Sequence, residues 1–344
     1  MARRKNFAGI DYFRFAAAFM VIAIHVAPLA DWNETADYLI TYCLARVAVP
    51  FFFMTTGFFV LAPYLTSGFR KKRTLCRFLM KNTMLYLAVS LLYLPVIIYS
   101  EQLPQNFPEF LKDLLLDGTF YHLWYFPAVL TGCLVLILLC RLSVTAAAVF
   151  SIIAYAIGLL GDSYYGIVKD IPVVSSIYDG IFQISSYTRN GIFFAPIFIL
   201  LGALTAIYRI RIPKRICRLG LAVSLLFLLA EGYLTYSNQL QKHNSMYLFL
   251  LPALFFLFRL LLTAPGQAPG WIRNGSMLLY VIHPAVIVVW HKAVKTIKLP
   301  GFLAENNFIE YLAVCVLSAA AVYFIQLFKG AIAACTKKDA HGLN

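Results

Sequence analysis

Residues 10–30 read IDYFRFAAAFMVIAIHVAPLA. A bilayer's hydrocarbon core, roughly 30 Å thick, is crossed by about 20 helical residues, so this stretch is long enough to span one. Its polar exceptions are Asp11, Arg14 and His25. Working outward, further apolar runs occupy residues 39–62, 79–99, 124–141, 144–160, 191–208, 217–236, 246–263, 276–296 and 308–328. The expected fold is therefore all-α, a polytopic transmembrane helix bundle of about ten spans. The basic opening MARRKNFAGI resembles the start of a signal peptide. The run behind it is long, holds Arg14 and His25, and lacks a small-residue cleavage site, so it reads as a retained span.

Composition excludes an ordinary soluble domain. Of the 344 residues, 61% are hydrophobic and only 13% are charged, where soluble domains carry roughly 25% charged residues. The mean hydropathy is +0.77. The net charge of +14 would raise nucleic acid as a partner if the basic residues formed one face. Instead they follow the topology. With the N-terminus placed in the cytoplasm, 20 of the 29 Lys and Arg fall in inside segments and 7 in outside ones, with Arg14 and Arg46 within the runs. That bias predicts a multi-pass cell-membrane protein with both termini cytoplasmic, lipid as its surroundings, and no nucleic acid. The seven Cys are scattered without a CxxC pair or a Cys/His cluster, so neither a disulfide framework nor a metal site is expected. One membrane domain over residues 1–335 is expected, with a short cytoplasmic tail at 336–344. The outer segments 100–123 and 161–190 are long and rich in Pro, Gly, Asp and Tyr, and are where an external partner or substrate is met.

Ionisable residues inside a membrane cost about 2.5–3.5 kcal/mol each on insertion scales and mark functional sites. Arg14 and His25 are 11 residues apart, so on a helix they point within roughly 20° of each other, about 16 Å apart along the axis. Asp11 is an i,i+3 neighbour of Arg14. One reading is a polar stripe with His25 as a base; the other is a snorkelling ion pair and a His that glues helices. Arg46 cannot shed its charge and needs an acid, a water cavity or an anionic ligand. Pro50 and Gly57 follow it. His122 and Trp124 open the fourth run, where an aromatic belt alone accounts for Trp124. Arg189 opens the sixth run. His283 precedes Pro284 in the ninth and is placed to satisfy the backbone that Pro284 frees. Glu231, in the seventh, is a candidate partner for Arg46 or a His.

These residues carry a resemblance. Gly9-Ile10-Asp11, Arg14 and His25, Arg46 with Val49-Pro50-Phe51-Phe52-Phe53 and Gly57, His122-Leu123-Trp124-Tyr125, and Leu279-Tyr280-Val281-Ile282-His283-Pro284 resemble the motifs of the acyltransferase-3 family of ten-span membrane proteins. The resemblance implies transfer of an acyl group from cytoplasmic acyl-CoA, the donor substrate, to a hydroxyl or amine, with no resident cofactor. It makes His25 the general base and Arg14 its cationic helper. A polar interior between spans 1, 2, 4, 6 and 9 is then expected, with Asp11, Arg46, His122, Trp124, Arg189, Glu231 and His283 on the substrate side.

A narrower resemblance is to the membrane half of VanT-type serine racemases. It lies in the stretches ARVAVPFFFM, YHLWYFPA, GLLGDS, RNGIFF and SMYLFL. It implies a membrane subunit supplying L-serine to a cytoplasmic serine racemase in VanT-type vancomycin resistance, with Arg46 or Arg189 on the carboxylate and an acid such as Glu231 on the ammonium. The sequence stops at KKDAHGLN, soon after the tenth run, so a separately encoded or truncated membrane subunit is expected. Two departures from the acyltransferase-3 pattern favour the serine reading: Thr56 stands in place of Ser, and the third run opens on Lys81-Asn82 with a reduced basic motif and no Pro.

Overall fold

A computed structural model describes residues 7–208, 210–297, 300 and 305–341. Arg3, Arg4, Lys5, Arg209 and Lys298, which entered the orientation count, lie outside the described residues, as do tail residues 342–344. The described chain is all-helical, without strands. Seven of its helices are long and apolar enough to cross a membrane: α1 (Ala8–Val26), α2 (Glu34–Thr66), α3 (Lys72–Tyr99), α4 (Tyr125–Leu142), α7 (Lys214–Ser237), α9 (Gly270–Ile297) and α10, apolar over Asn307–Gly330. Three shorter apolar helices complete the series: α5 (Val144–Leu160), α6 (Ala195–Tyr208) and α8 (Leu250–Leu261). The backbone of α10 stays helical to His341.

The chain divides into two compact units, Met1–Thr41 with Leu261–Asn344, and Tyr42–Leu260. In the first, α1, α9 and α10 pack on one another. Ala18, Ile22 and Val26 recur every fourth residue, which aligns them on one face of α1. They form a core with Leu279 and Ile287 of α9 and Val314 and Val322 of α10. Pro284 lies inside α9, so the Tyr280 carbonyl loses its helical donor. The fully buried His283 directly precedes Pro284 on this helix. After α1 the chain turns at Ala27 in the left-handed region, and Asp37 Oδ1 pins the turn by accepting the Leu29 N–H at 2.9 Å.

In the second unit α6 packs against α4, α5 and the stretch of α2 from Ala48 to Leu61. Two glycines make this approach possible. A Cβ on Gly57 would strike the Ile199 carbonyl, and one on Gly202 would strike the Met54 carbonyl. Small residues at helix crossings let backbones close in where lipid supplies no hydrophobic drive. Around the crossing lies an aromatic core: Phe53 stacks on Tyr125 at 5.2 Å and meets Phe194 edge-on at 5.9 Å. Pro50 leaves the Arg46 carbonyl without a helical donor. The helix departs from α geometry there, with a π turn over Ile40–Leu44 and a 3-10 turn over Ala45–Val47.

The segments 100–123 and 161–190 both fold into short helices. Phe107–Lys112 is capped by Asn106, whose side chain accepts the Glu109 N–H at 2.9 Å. Tyr165–Val168 and Pro172–Ile184 form in the other segment. The two are stitched together by Asp117, which accepts the Ser185 hydroxyl at 2.7 Å and the Ser186 N–H at 2.9 Å.

Candidate functional site

A polar cluster of the second unit is built around Asp162, which follows α5 and is 0% exposed. Its Oδ1 accepts the backbone N–H groups of Ser245 at 2.7 Å and Met246 at 2.9 Å. The Ser163 hydroxyl adds a third bond at 3.1 Å. Oδ2 is buried and makes no hydrogen bond among the described residues. Burial pushes the Asp162 carboxyl above its ordinary range, opposed by the Ser245 and Met246 N–H groups and then by the guanidinium groups of Arg189 and Arg46.

Both arginines are tied to the loop that Asp162 holds. Arg46 donates to the Asn244 side-chain carbonyl and lies 5.3 Å from the Tyr42 ring centroid. Arg189 donates to the Ser245 hydroxyl at 3.2 Å. Its guanidinium sits over Tyr187 at 4.2 Å and near Trp124 at 5.3 Å, within the range of cation–π attraction. His243 packs on Tyr187 at 4.4 Å. Burial, with the positive charges of Arg189, Lys242 and Arg46, pushes the His243 imidazole down to about 4. The cluster thus sets two guanidinium groups against one buried carboxylate and a neutral imidazole, which leaves it net positive and suited to a carboxylate ligand.

Arg189 and Tyr187 also line a cavity of about 230 Å³. On its wall stand Asp113, Asp117, Tyr121 and Phe120. Asp117 is engaged by Ser185, Ser186 and, at 3.9 Å, Lys112. The Asp113 carboxylate makes no hydrogen bond among the described residues. Burial raises the Asp113 carboxyl, Asp117 raises it further, and Lys112 opposes.

The first unit carries the other candidates. The half-buried His25 stacks on the fully buried His283, ring centroids 5.5 Å apart and planes 19° from parallel. Asp11 is attracted by both Arg14 and Arg273. The residues expected on spans 1 and 9 are therefore together in this unit, and those on spans 2, 4 and 6 are together in the other.

Within the second unit, Arg46, Arg189 and Trp124 converge around the Asp162 cluster. Trp124 is buried and packs against Phe53 and Phe194, so it sits in the core where an aromatic belt was one expectation. His122 is buried in a ring of Tyr93, Phe120 and Tyr121. Glu231 is used differently from the expected pairing with Arg46 or a His. Its Oε1 accepts the Tyr164 hydroxyl at 2.7 Å and the Leu248 N–H at 2.6 Å, and its Oε2 accepts the Phe249 N–H at 3.0 Å. It therefore caps the entry to α8.

Asp162, His243, Asn244, Ser245 and Asp113 escaped the sequence reading. The signal for Asp162 was its place in GLLGDS, an acid directly behind an apolar run. No group of three or more His, Cys, Asp or Glu able to hold a metal occurs among the described residues.

An acyltransferase domain model matches residues 7–327. An amino-acid racemase of Enterococcus faecalis is 40% identical over 326 residues, covering 92% of this chain and 45% of the relative. A serine/alanine racemase of Enterococcus gallinarum is 38% identical over 333 residues, covering 93% and 45%. The chain thus spans about 45% of the length of the racemases it matches. No solved structure matches it. With that match over nearly its whole length, and with helices long and apolar enough to cross a bilayer, the chain is a membrane protein that belongs to the acyltransferase-3 family.

Proposed function

We propose that this chain is a serine-handling membrane module. It binds L-serine and supplies it to a cytoplasmic serine racemase, within VanT-type vancomycin resistance based on D-serine-ended cell-wall precursors. It crosses the cell membrane ten times with both termini in the cytoplasm. The observation that carries this reading is the pair Arg46 and Arg189, gathered around buried Asp162 by Asn244 and Ser245. Two fixed cations against one carboxylate leave a place for the carboxylate of an amino acid. The relatives' names, amino-acid racemase and serine/alanine racemase, support the substrate class.

A second reading is acyl transfer from acyl-CoA to a hydroxyl or amine. It is favoured by the His25–His283 stack and by Arg14 beside Asp11. Here the His25 imidazole takes the acceptor's proton as its oxygen or nitrogen attacks the thioester carbonyl, and CoA leaves as thiolate. Arg14 holds the donor's charge.

Titration of the detergent-purified protein with L-serine and with CoA separates the two. Serine binding that weakens in Arg189→Gln, without CoA binding, supports the first. CoA binding with acyl transfer lost in His25→Ala, without serine binding, overturns it.

A further inference from the structure

An amino acid is a zwitterion, and a site that grips it needs a negative pole as well as a positive one. Glu231 supplies no such pole, because both its oxygens are engaged in capping α8 and by Tyr164. Asp162 is sealed at 0% exposure among the backbone groups it holds. The cavity beside Arg189 is lined by such residues. Arg189 and two acids, Asp113 and Asp117, all stand on the wall of this one small space. Asp117 is committed to Ser185, Ser186 and Lys112. Asp113 has no hydrogen-bond partner among the described residues.

We infer that this cavity is a subsite for a small α-amino acid, with Arg189 taking the carboxylate and Asp113 the ammonium. This deepens the serine reading above and rests on it. The volume of about 230 Å³ lies below the roughly 300–1,000 Å³ typical of drug-sized ligands. It suits serine or alanine and is far too small for CoA. Tyr187 and Tyr121 wall the space, and the Arg189 guanidinium lies over the Tyr187 ring at 4.2 Å. A carboxylate is gripped best in the plane of a guanidinium, where two parallel N–H bonds form.

The test uses the full chain in detergent and three probes: L-serine, 3-hydroxypropionate (serine without its amino group) and L-phenylalanine. Wild type is expected to bind L-serine at least about tenfold more tightly than 3-hydroxypropionate, and not to bind L-phenylalanine. Asp113→Asn should remove that preference by weakening L-serine alone. Arg189→Gln should weaken both. Equal wild-type affinity for L-serine and 3-hydroxypropionate overturns the ammonium pole without any variant having to fold. An Asp113→Asn protein that folds and keeps the serine preference overturns it too, while the serine reading stands. Wild type that binds no small amino acid overturns the serine reading, and the subsite with it.

Discussion

Asp162 Oδ1 accepts the Ser245 backbone N–H at 2.7 Å, across 83 residues of sequence. That bond and its neighbour to Met246 fix the loop that carries both arginine partners, Asn244 and Ser245. Asp162→Ala strands two N–H groups and leaves Arg46 and Arg189 without their nearest buried counter-charge. Breaking one side of a buried charge group costs about 3–5 kcal/mol. Asp162→Asn keeps an acceptor and should fall between wild type and Ala. Thermal unfolding in detergent gives the order. An Ala variant as stable as wild type would show that the arginines do not need this carboxylate.

The His243 imidazole predicts an acid-sensitive stability. Burial first, then Arg189, Lys242 and Arg46, lower its folded-state value from 6.5 to about 4. The unfolded chain therefore binds a proton more readily than the folded one between those values, and stability falls as pH falls. The contribution is fully present above pH 6.5 and is progressively lost toward about pH 4. Midpoints measured from pH 7 down to pH 4.5 should decline, and His243→Gln should flatten the slope. An unchanged slope in that variant would assign the acid sensitivity to other groups.

The helices were legible because each lies in a strongly apolar run, although α5, α6 and α8 fall short of the length that the other seven reach. The run at 144–160 coincides with α5, and that at 124–141 lies within a residue of α4. The break in the α9 ladder was legible because Pro284 frees a carbonyl one turn back, whatever the tertiary structure. Glu231 was not. Hydropathy gives a residue's depth along a span but not its azimuth, and only azimuth decides between Arg46 and the N–H groups of Leu248 and Phe249. Asp162 was hidden for a related reason. A lone acid after an apolar run reads as the edge of a span, and its partners Ser245 and Met246 lie in a polar loop with no period of their own. The short helix Pro172–Ile184 was missed because hydropathy windows sized for spans pass over brief amphipathic turns.

Glu231 should behave as a structural cap. Removing an acceptor from buried N–H groups costs about 1–3 kcal/mol for each group left unsatisfied. Glu231→Ala deprives Leu248, Phe249 and the Tyr164 hydroxyl at once. Glu231→Gln keeps one oxygen and should recover much of the loss. The expected result for Gln is a modest drop in unfolding midpoint with L-serine affinity retained. A Gln variant of wild-type stability that no longer binds L-serine would restore Glu231 as a ligand-holding acid.

The crossing of α6 over α2 sets the last prediction. A methyl group on Gly202 would collide with the Met54 carbonyl, and Ala203 beside it is already fully buried. The obstacle is backbone, so it cannot swing aside as a side chain would. Overpacking of a tight core costs typically about 1–3 kcal/mol, and a backbone clash belongs at the upper end. Gly202→Ala should therefore lower the unfolding midpoint more than Gly180→Ala, where an added Cβ meets nothing within 4 Å. Because Met54 is followed within α2 by Thr55, Thr56 and Gly57, and Gly57 meets Ile199 from the other side, the double variant Gly57→Ala/Gly202→Ala should depart from additivity. Once the helices are pushed apart by one methyl, the second has less to strike. Strict additivity of the two losses would mean that each clash is relieved locally and that the helices keep their spacing.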